Sequence, residues 1–407
     1  MIKSKYIILT LISVIFGDLI SYITIGGTIS IGNSTYITAL INYCAIAVLI
    51  GITYKSRWNS DVPLSIKYLY IFWLILLIFN LFRSFYVAES YWDWKLLFLG
   101  AFFFTLIPLV FYIGKNLDYF KVIFNFVLKY LFAYGFLLIP LGQLANPELY
   151  SRLMIPISLF ILFIPYVDKK RKILIILIMA ISILLVPGFR SNILKSSFSL
   201  LVLTLFYFKP YFRQAIFHII HILLFIVPVF LFILAVNNKF NIFEEMEKNE
   251  GATVTDAMGE VSLTQDTRTF LFIEVFGSMD NKYNWTFGKS AIGSYRSDWF
   301  YDDGGAIKGK RYGSEVGMLN ILLKYGGLGI LIISFLLFSV SWIAIKSSSN
   351  ILSKMIGLFI AFRFLFSFIE EYTDYDLNFY FFWLAIGLVS SKKFRNMTDD
   401  ELKKYFQ

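Results

Sequence analysis

Apolar stretches of about 20 residues follow one another along most of the chain, separated by short polar joints. A helix of that length spans the hydrocarbon core of a bilayer. Stretches at 6–25, 36–54, 66–86, 96–114, 119–141, 152–167, 173–187, 192–208, 215–236, 326–345, 351–369 and 377–391 predict about twelve spans. The runs are continuous, without the alternation of barrel strands, so they predict helices. One long polar interval, beginning at Asn237, breaks the pattern before the last three spans. The expected architecture is an all-α integral membrane protein. It has a bundle at 1–236, a large loop at 237–316, three further spans within 317–391 and a tail at 392–407.

The charges of the joints orient the spans. Lys3 and Lys5 precede the first, and Lys55, Arg57 and Lys67 follow the second. Lys115 and Lys121, the run Lys169-Lys170-Arg171-Lys172, Lys209 and Arg213, Lys346 and Lys354, and Lys392, Lys393 and Arg395 occupy later joints of the same parity. The intervening joints carry few cations: Gly26 to Tyr36 has none, and Glu370 to Asp376 is acidic. The positive-inside rule then predicts cytoplasmic termini and an extracytoplasmic loop. With 58% hydrophobic and 16% charged residues, and a mean hydropathy of +0.70, a soluble domain is excluded. The net charge of +10 sits in these joints, which argues against nucleic acid as the partner. A single cysteine, Cys44, allows no disulfide framework, and His218 and His221 alone make a zinc site unexpected. Met1 to Ile25 reads as the first span and not as a removed signal.

Within the loop, Asn241 to Asn249 predicts a short acidic helix, and Gly251 to Gln265 a flexible polar excursion. Asp266 is placed to cap a helix starting at Thr267, with Phe270, Ile273 and Phe276 as its apolar face and Gly277 as its end. Gly288 to Lys310 is rich in turn residues.

Charged groups at membrane depth or its edge are the first candidates for chemistry, because they are costly there. Arg190, at the loop-side end of a short span, could grip a phosphate through two parallel hydrogen bonds, or snorkel to lipid head groups. Arg268, in the first turn of the expected loop helix, could serve an anion at that terminus, or pair with Asp266 or Glu274. Glu315 precedes the segment entering the tenth span. It could be a general base for a sugar hydroxyl, or an acidic residue favoured at a helix start. Arg83 stands near the end of the third span. Arg363 lies inside the eleventh, near Glu370-Glu371 and Asp374/Asp376, and could simply pair with a carboxylate. Asp302-Asp303 reads as an acidic turn, and His218 and His221 as packing or interfacial residues. The 45 Phe, 26 Tyr and 8 Trp suit both lipid-facing belts and sugar-stacking surfaces.

The layout as a whole resembles the bacterial O-antigen polymerase and O-antigen ligase superfamily, membrane glycosyltransferases of the GT-C type. Three local matches carry the resemblance. Arg190 stands in Gly188-Phe189-Arg190, Arg268 in Asp-Thr-Arg-Thr-Phe-Leu, and Leu319, Leu322, Gly326 and Gly329 follow Glu315 in the loop-to-helix segment. Ligases of the family present His-Asn at the start of that segment, where this chain has Glu315-Val316. The difference leans towards the polymerase branch.

The resemblance implies a metal-free, cofactor-free transfer at the outer face of a bacterial inner membrane. A growing glycan on undecaprenyl pyrophosphate would pass to the terminal sugar of a new lipid-linked unit. Glu315, Arg268 and Arg190 would be the catalytic residues, with Arg83, Arg296 and Arg363 as weaker ligands for pyrophosphate or glycan. Membrane lipids, a chain-length regulator and a flippase are the further implied partners. A ligase to a lipid A core, and a flippase or transporter of lipid-linked glycan, are the competing readings. Transporters gather charge at the midplane and keep loops short, unlike this chain.

Overall fold

The computed structural model describes residues 4–25, 34–56, 61–137, 139, 148–184, 190–236, 253–256, 259–262, 269–297, 309–370 and 374–407. Where they are described, the apolar stretches named above fall mainly on helix. In order these are α1 (Ser4–Ile25), α2 (Ser34–Lys55), α3 (Leu64–Val87), α4 (Tyr91–Gly114), α5 (Leu117–Phe126), α6 (Glu148–Leu153), α7 (Ile157–Tyr166), α8 (Lys169–Leu184), α9 (Arg190–Thr204) and α10 (Pro210–Val236). Two hairpin strands, β1 (Thr253–Asp256) and β2 (Gly259–Ser262), and two loop helices, α11 (Thr269–Gly277) and α12 (Lys282–Phe287), come next. The short strands β3 (Tyr295–Arg296) and β4 (Lys310–Arg311) then lead to α13 (Gly317–Lys346), α14 (Ile351–Phe366), α15 (Leu377–Ser390), α16 (Lys392–Asn396) and α17 (Asp399–Phe406).

Among the described residues, five helices are long and apolar enough to cross a membrane: Tyr36–Lys55, Leu64–Val87, Tyr91–Gly114, Arg213–Phe230 and Gly317–Lys346. The chain is a helical membrane protein. Other apolar stretches are shorter or interrupted. α5 passes into a π turn over Val127–Phe132, and α6 and α7 are separated near Pro156. Where α4 crosses α15, Gly114 and Gly387 let the backbones touch. A Cβ on either would fall 2.1–2.3 Å from a carbonyl oxygen of the other helix.

The joints that the sequence assigns to one side meet at one end of the bundle. The Lys121 ammonium donates to the Tyr405 carbonyl, and the Arg171 guanidinium to the Phe406 carbonyl. Tyr166 donates to Asp399, Tyr405 to Asp118, and Asn350 to the carbonyls of Phe394 and Met397. The other end carries Arg83, α11, α12, the β3–β4 ladder and the start of α15. We call these the terminal end and the loop end.

Three expectations about the loop need correction. The stretch read as a flexible excursion contains the antiparallel pair β1–β2, with Thr253 opposite Ser262 and Asp256 opposite Gly259. Its alternating Thr-Val-Thr and Glu-Val-Ser suit a hairpin more than the count of small polar residues suggested. The loop helix buries Leu271 and Val275, with Phe272 and Phe276 partly covered, while Ile273 faces outward. The tenth span begins nine residues earlier than expected, because α13 starts at Gly317 and breaks at Gly326 (φ 68°). The 241–249 segment, Asp266, Thr267, Arg268 and Asp302-Asp303 lie outside the described residues.

Candidate functional site at the loop end

The break in α13 makes residues 317–325 a half-helix sandwiched between two cores. Val316, Leu319, Leu322 and Leu323 pack with Leu271, Val275, Met279 and Tyr295 of the loop. Met318, Ile321 and Tyr325 pack into the bundle. Each leucine buried there is worth about 1.5–3 kcal/mol, so this strip fastens the loop.

The fastening is completed by backbone contact. Gly288 (φ 74°) ends α12, and a Cβ there would lie 2.3 Å from the Lys324 carbonyl carbon. Gly326 faces it, and its Cβ would lie 2.3 Å from the Thr286 oxygen. Both dihedrals and both contacts require glycine. The Lys289 N–H donates to the Leu323 carbonyl at 2.7 Å across the same junction. Ser290 follows in a positive-φ conformation (100°), fully buried, held in place by this docking.

Arg83 belongs to the junction. Its guanidinium donates to Asn80 Oδ1 (2.7 Å) and to the carbonyls of Phe287 and Gly288 (3.1 Å each), and it lies 4.8 Å from the Tyr283 ring centre. The structure shows a clamp between α3 and the loop.

On the other side of the half-helix, Gly317, Met318 and Ile321 close a cavity of about 30 Å³ lined also by Trp73, Phe382 and Arg363. That volume suits one or two waters. Arg363 is 2% exposed and lies 4.8 Å from the Phe382 ring centre, so its charge is held deep in the bundle against aromatic faces. Ser367 also lines the cavity, and its carbonyl accepts from the Met318 N–H at 2.9 Å.

Glu315 stands two residues before the half-helix. Its Oε1 is 3.3 Å from an Arg311 guanidinium nitrogen, and its side chain is 28% exposed. Arg311, Glu274 and Glu315 all act on the buried Tyr295 hydroxyl. Burial pushes that phenol up to about 12, Arg311 opposes the rise, and the two glutamates add to it. Tyr295 therefore remains a protonated donor at neutral pH, and the Gly313 carbonyl accepts from it at 3.4 Å. Ser297 donates to Glu274 at 3.2 Å. Tyr312 donates to Asp93 at the head of α4 (2.8 Å), and burial followed by that carboxylate pushes its phenol up to about 12.

Of the residues the sequence singled out, the structure places Glu315 and Arg363 on opposite sides of the half-helix. Arg296 is exposed on β3, paired with Lys310 across the ladder. Of Arg190 the backbone alone is described, as the first residue of α9. Arg311 and Tyr295 escaped the sequence reading, which took Glu274 only as a possible partner for Arg268. Arg311 stands four residues before Glu315, but the pair joins a strand to a helix start and not two turns of one helix, so helical spacing gave no signal for it. Among the described residues, no group of His, Cys, Asp and Glu could hold a metal ion. No family model, curated protein sequence or solved structure matches the chain.

Proposed function

We propose that the protein polymerises lipid-linked oligosaccharide repeat units at the extracytoplasmic face of a bacterial cytoplasmic membrane, with about twelve spans and both termini inside. The observation that supports this best is the position of Glu315. A half-buried, ion-paired carboxylate heads a half-helix whose other face closes a bundle cavity lined in part by the buried Arg363. A carboxylate at the seam between loop and membrane core suits a base acting on a substrate whose lipid tail stays in the bilayer.

In this reading the terminal sugar hydroxyl of an undecaprenyl-pyrophosphate-linked unit gives its proton to Glu315. Its oxygen attacks the anomeric carbon of the growing glycan. The bond from that carbon to the donor's pyrophosphate breaks, and the pyrophosphate departs with the electron pair. Arg190 and Arg268 stabilise the departing charge, as the resemblance implies. Tethering both partners to the membrane supplies much of the remaining rate enhancement.

The test is a gel of surface glycan from a strain lacking the gene. We expect collapse from long chains to single repeat units on their final acceptor. Glu315→Gln and Arg268→Ala, each present at normal levels in the membrane, should fail to restore length. Long chains from either variant would refute its assigned role. Loss of even the single-unit product in the deletion would favour a ligase or a flippase.

A further inference from the structure

We propose that Arg311 and Asn320 are positioning residues for Glu315, gripping it from its carboxylate and from its backbone; this rests on the reading of Glu315 as the base. Arg311 reaches the carboxylate from β4 at 3.3 Å and is 13% exposed, so its side chain has little freedom to leave. Asn320 works from the half-helix. Its Oδ1 accepts from the Ser314 N–H and its Nδ2 donates to the Ser314 carbonyl, both at 2.6 Å. One amide side chain thus pairs with both backbone groups of the residue preceding Glu315. Asn320 is 2% exposed, and the Ser314 hydroxyl adds a bond from the Val316 N–H at 3.1 Å. The peptide carrying Glu315 is therefore tied to the same half-helix that closes the cavity, while Arg311 fixes the direction of the carboxylate.

A base held this way loses rate, not substrate affinity, when its supports go, because misplacement by about 1 Å costs on the order of 100-fold. With polyprenyl-pyrophosphate-linked repeat units extracted from the deletion strain, Arg311→Gln should lower kcat about 10- to 100-fold. KM should stay within about twofold. Arg311→Lys should recover much of the loss by restoring the charge. Asn320→Asp, which keeps the acceptor but removes the donor, should show the same kcat-only loss.

The decisive arm is the Glu315→Asp background, where the shortened carboxylate already falls short of Arg311. There Arg311→Gln should add less than about threefold. Equal losses in both backgrounds, or a loss appearing in KM, would overturn the proposal, since Arg311 would then act on substrate or fold. Should Asn320→Asp fail to accumulate in the membrane, the Arg311 series decides alone. If Glu315→Gln still lengthens chains, the base reading falls, an outcome distinct from additivity in the Arg311 cycle.

Discussion

At the terminal end of the bundle a plug of aromatic side chains makes the seal, whereas at the loop end backbone meets backbone. The terminal plug is Phe406, fully buried, with ring centres of Phe120, Phe124 and Phe163 at 5.0–6.1 Å. Around it, Lys121 and Arg171 donate to the last carbonyls of α17. The loop-end seal is the contact of Gly288 with Gly326, two glycines at positive φ with no room for a Cβ between them. A plug of side chains weakens by degrees when one is trimmed. A backbone junction has no smaller version of itself. The half-buried carboxylates and the cavity lie beside the second kind of seal, so their geometry depends on a contact that any substitution disrupts.

The largest expected effect follows from that contrast. Gly326→Val should unlatch the loop, because its Cβ would meet the Thr286 oxygen and φ 68° is barred to a β-branched residue. We expect rapid limited proteolysis within the loop and loss of chain lengthening, while fragments carrying the bundle stay resistant. A variant that resists proteolysis like the parent would show that the junction is not what holds the loop.

The contrast also marks what could be read from the sequence. Continuous apolar runs and joint charges made the helices, and which joints share an end, legible, because a bilayer demands both features. Glu315 and Arg363 were visible as charges in costly places. The Gly326 break was not foreseen, since a helix-compatible sequence continues on both sides of it and only the docking of Gly288 forces the dihedral. Arg311 and Asn320 stayed hidden for a similar reason. Their partners lie four and six residues away across a strand-to-helix corner, where neither helical nor strand periodicity applies. Arg83 was visible as a charge, but its task of binding two loop carbonyls depends on tertiary packing.

Phe406→Ala tests the other seal. Removing a fully buried ring should cost about 3–5 kcal/mol, lowering the thermal unfolding midpoint of the detergent-purified protein. Proteolysis of the loop at moderate temperature should stay unchanged, and the folded fraction should still lengthen chains. Accelerated loop cleavage in this variant would mean that the two ends are coupled more tightly than their separate contacts suggest.

Arg83→Met should have a smaller effect, about 1.5–3 kcal/mol for lost charge-assisted bonds to the Phe287 and Gly288 carbonyls. Because the Gly288–Gly326 contact remains, we expect faster hydrogen exchange confined to α12 and the 288–293 turn. Global midpoint and terminal-end protection should hardly move. If exchange rises across the whole bundle instead, Arg83 supports the fold at large and not the loop junction alone.

The smallest effect is electrostatic and belongs to the terminal end. Burial holds the Lys115 ammonium down to about 8 from its ordinary value near 10.5, and Asp61 partly opposes this. Below about pH 8 the lysine is charged whether folded or unfolded, so the folded state carries the whole burial penalty. Between about 8 and 10.5 the folded protein has released that proton while the unfolded chain keeps it. The unfolded state then binds more protons, and this group's contribution makes stability rise with pH across that window. Lys115→Met should therefore be more stable than the parent near pH 7 and should lack this component of the rise. Unfolding midpoints of both proteins, measured at intervals from about pH 7 to 10, test the point. Parallel curves would mean that Lys115 keeps its proton in the fold. Loop proteolysis should be indifferent to the substitution at every pH, because the lysine sits at the seal made by side chains, which yields by degrees.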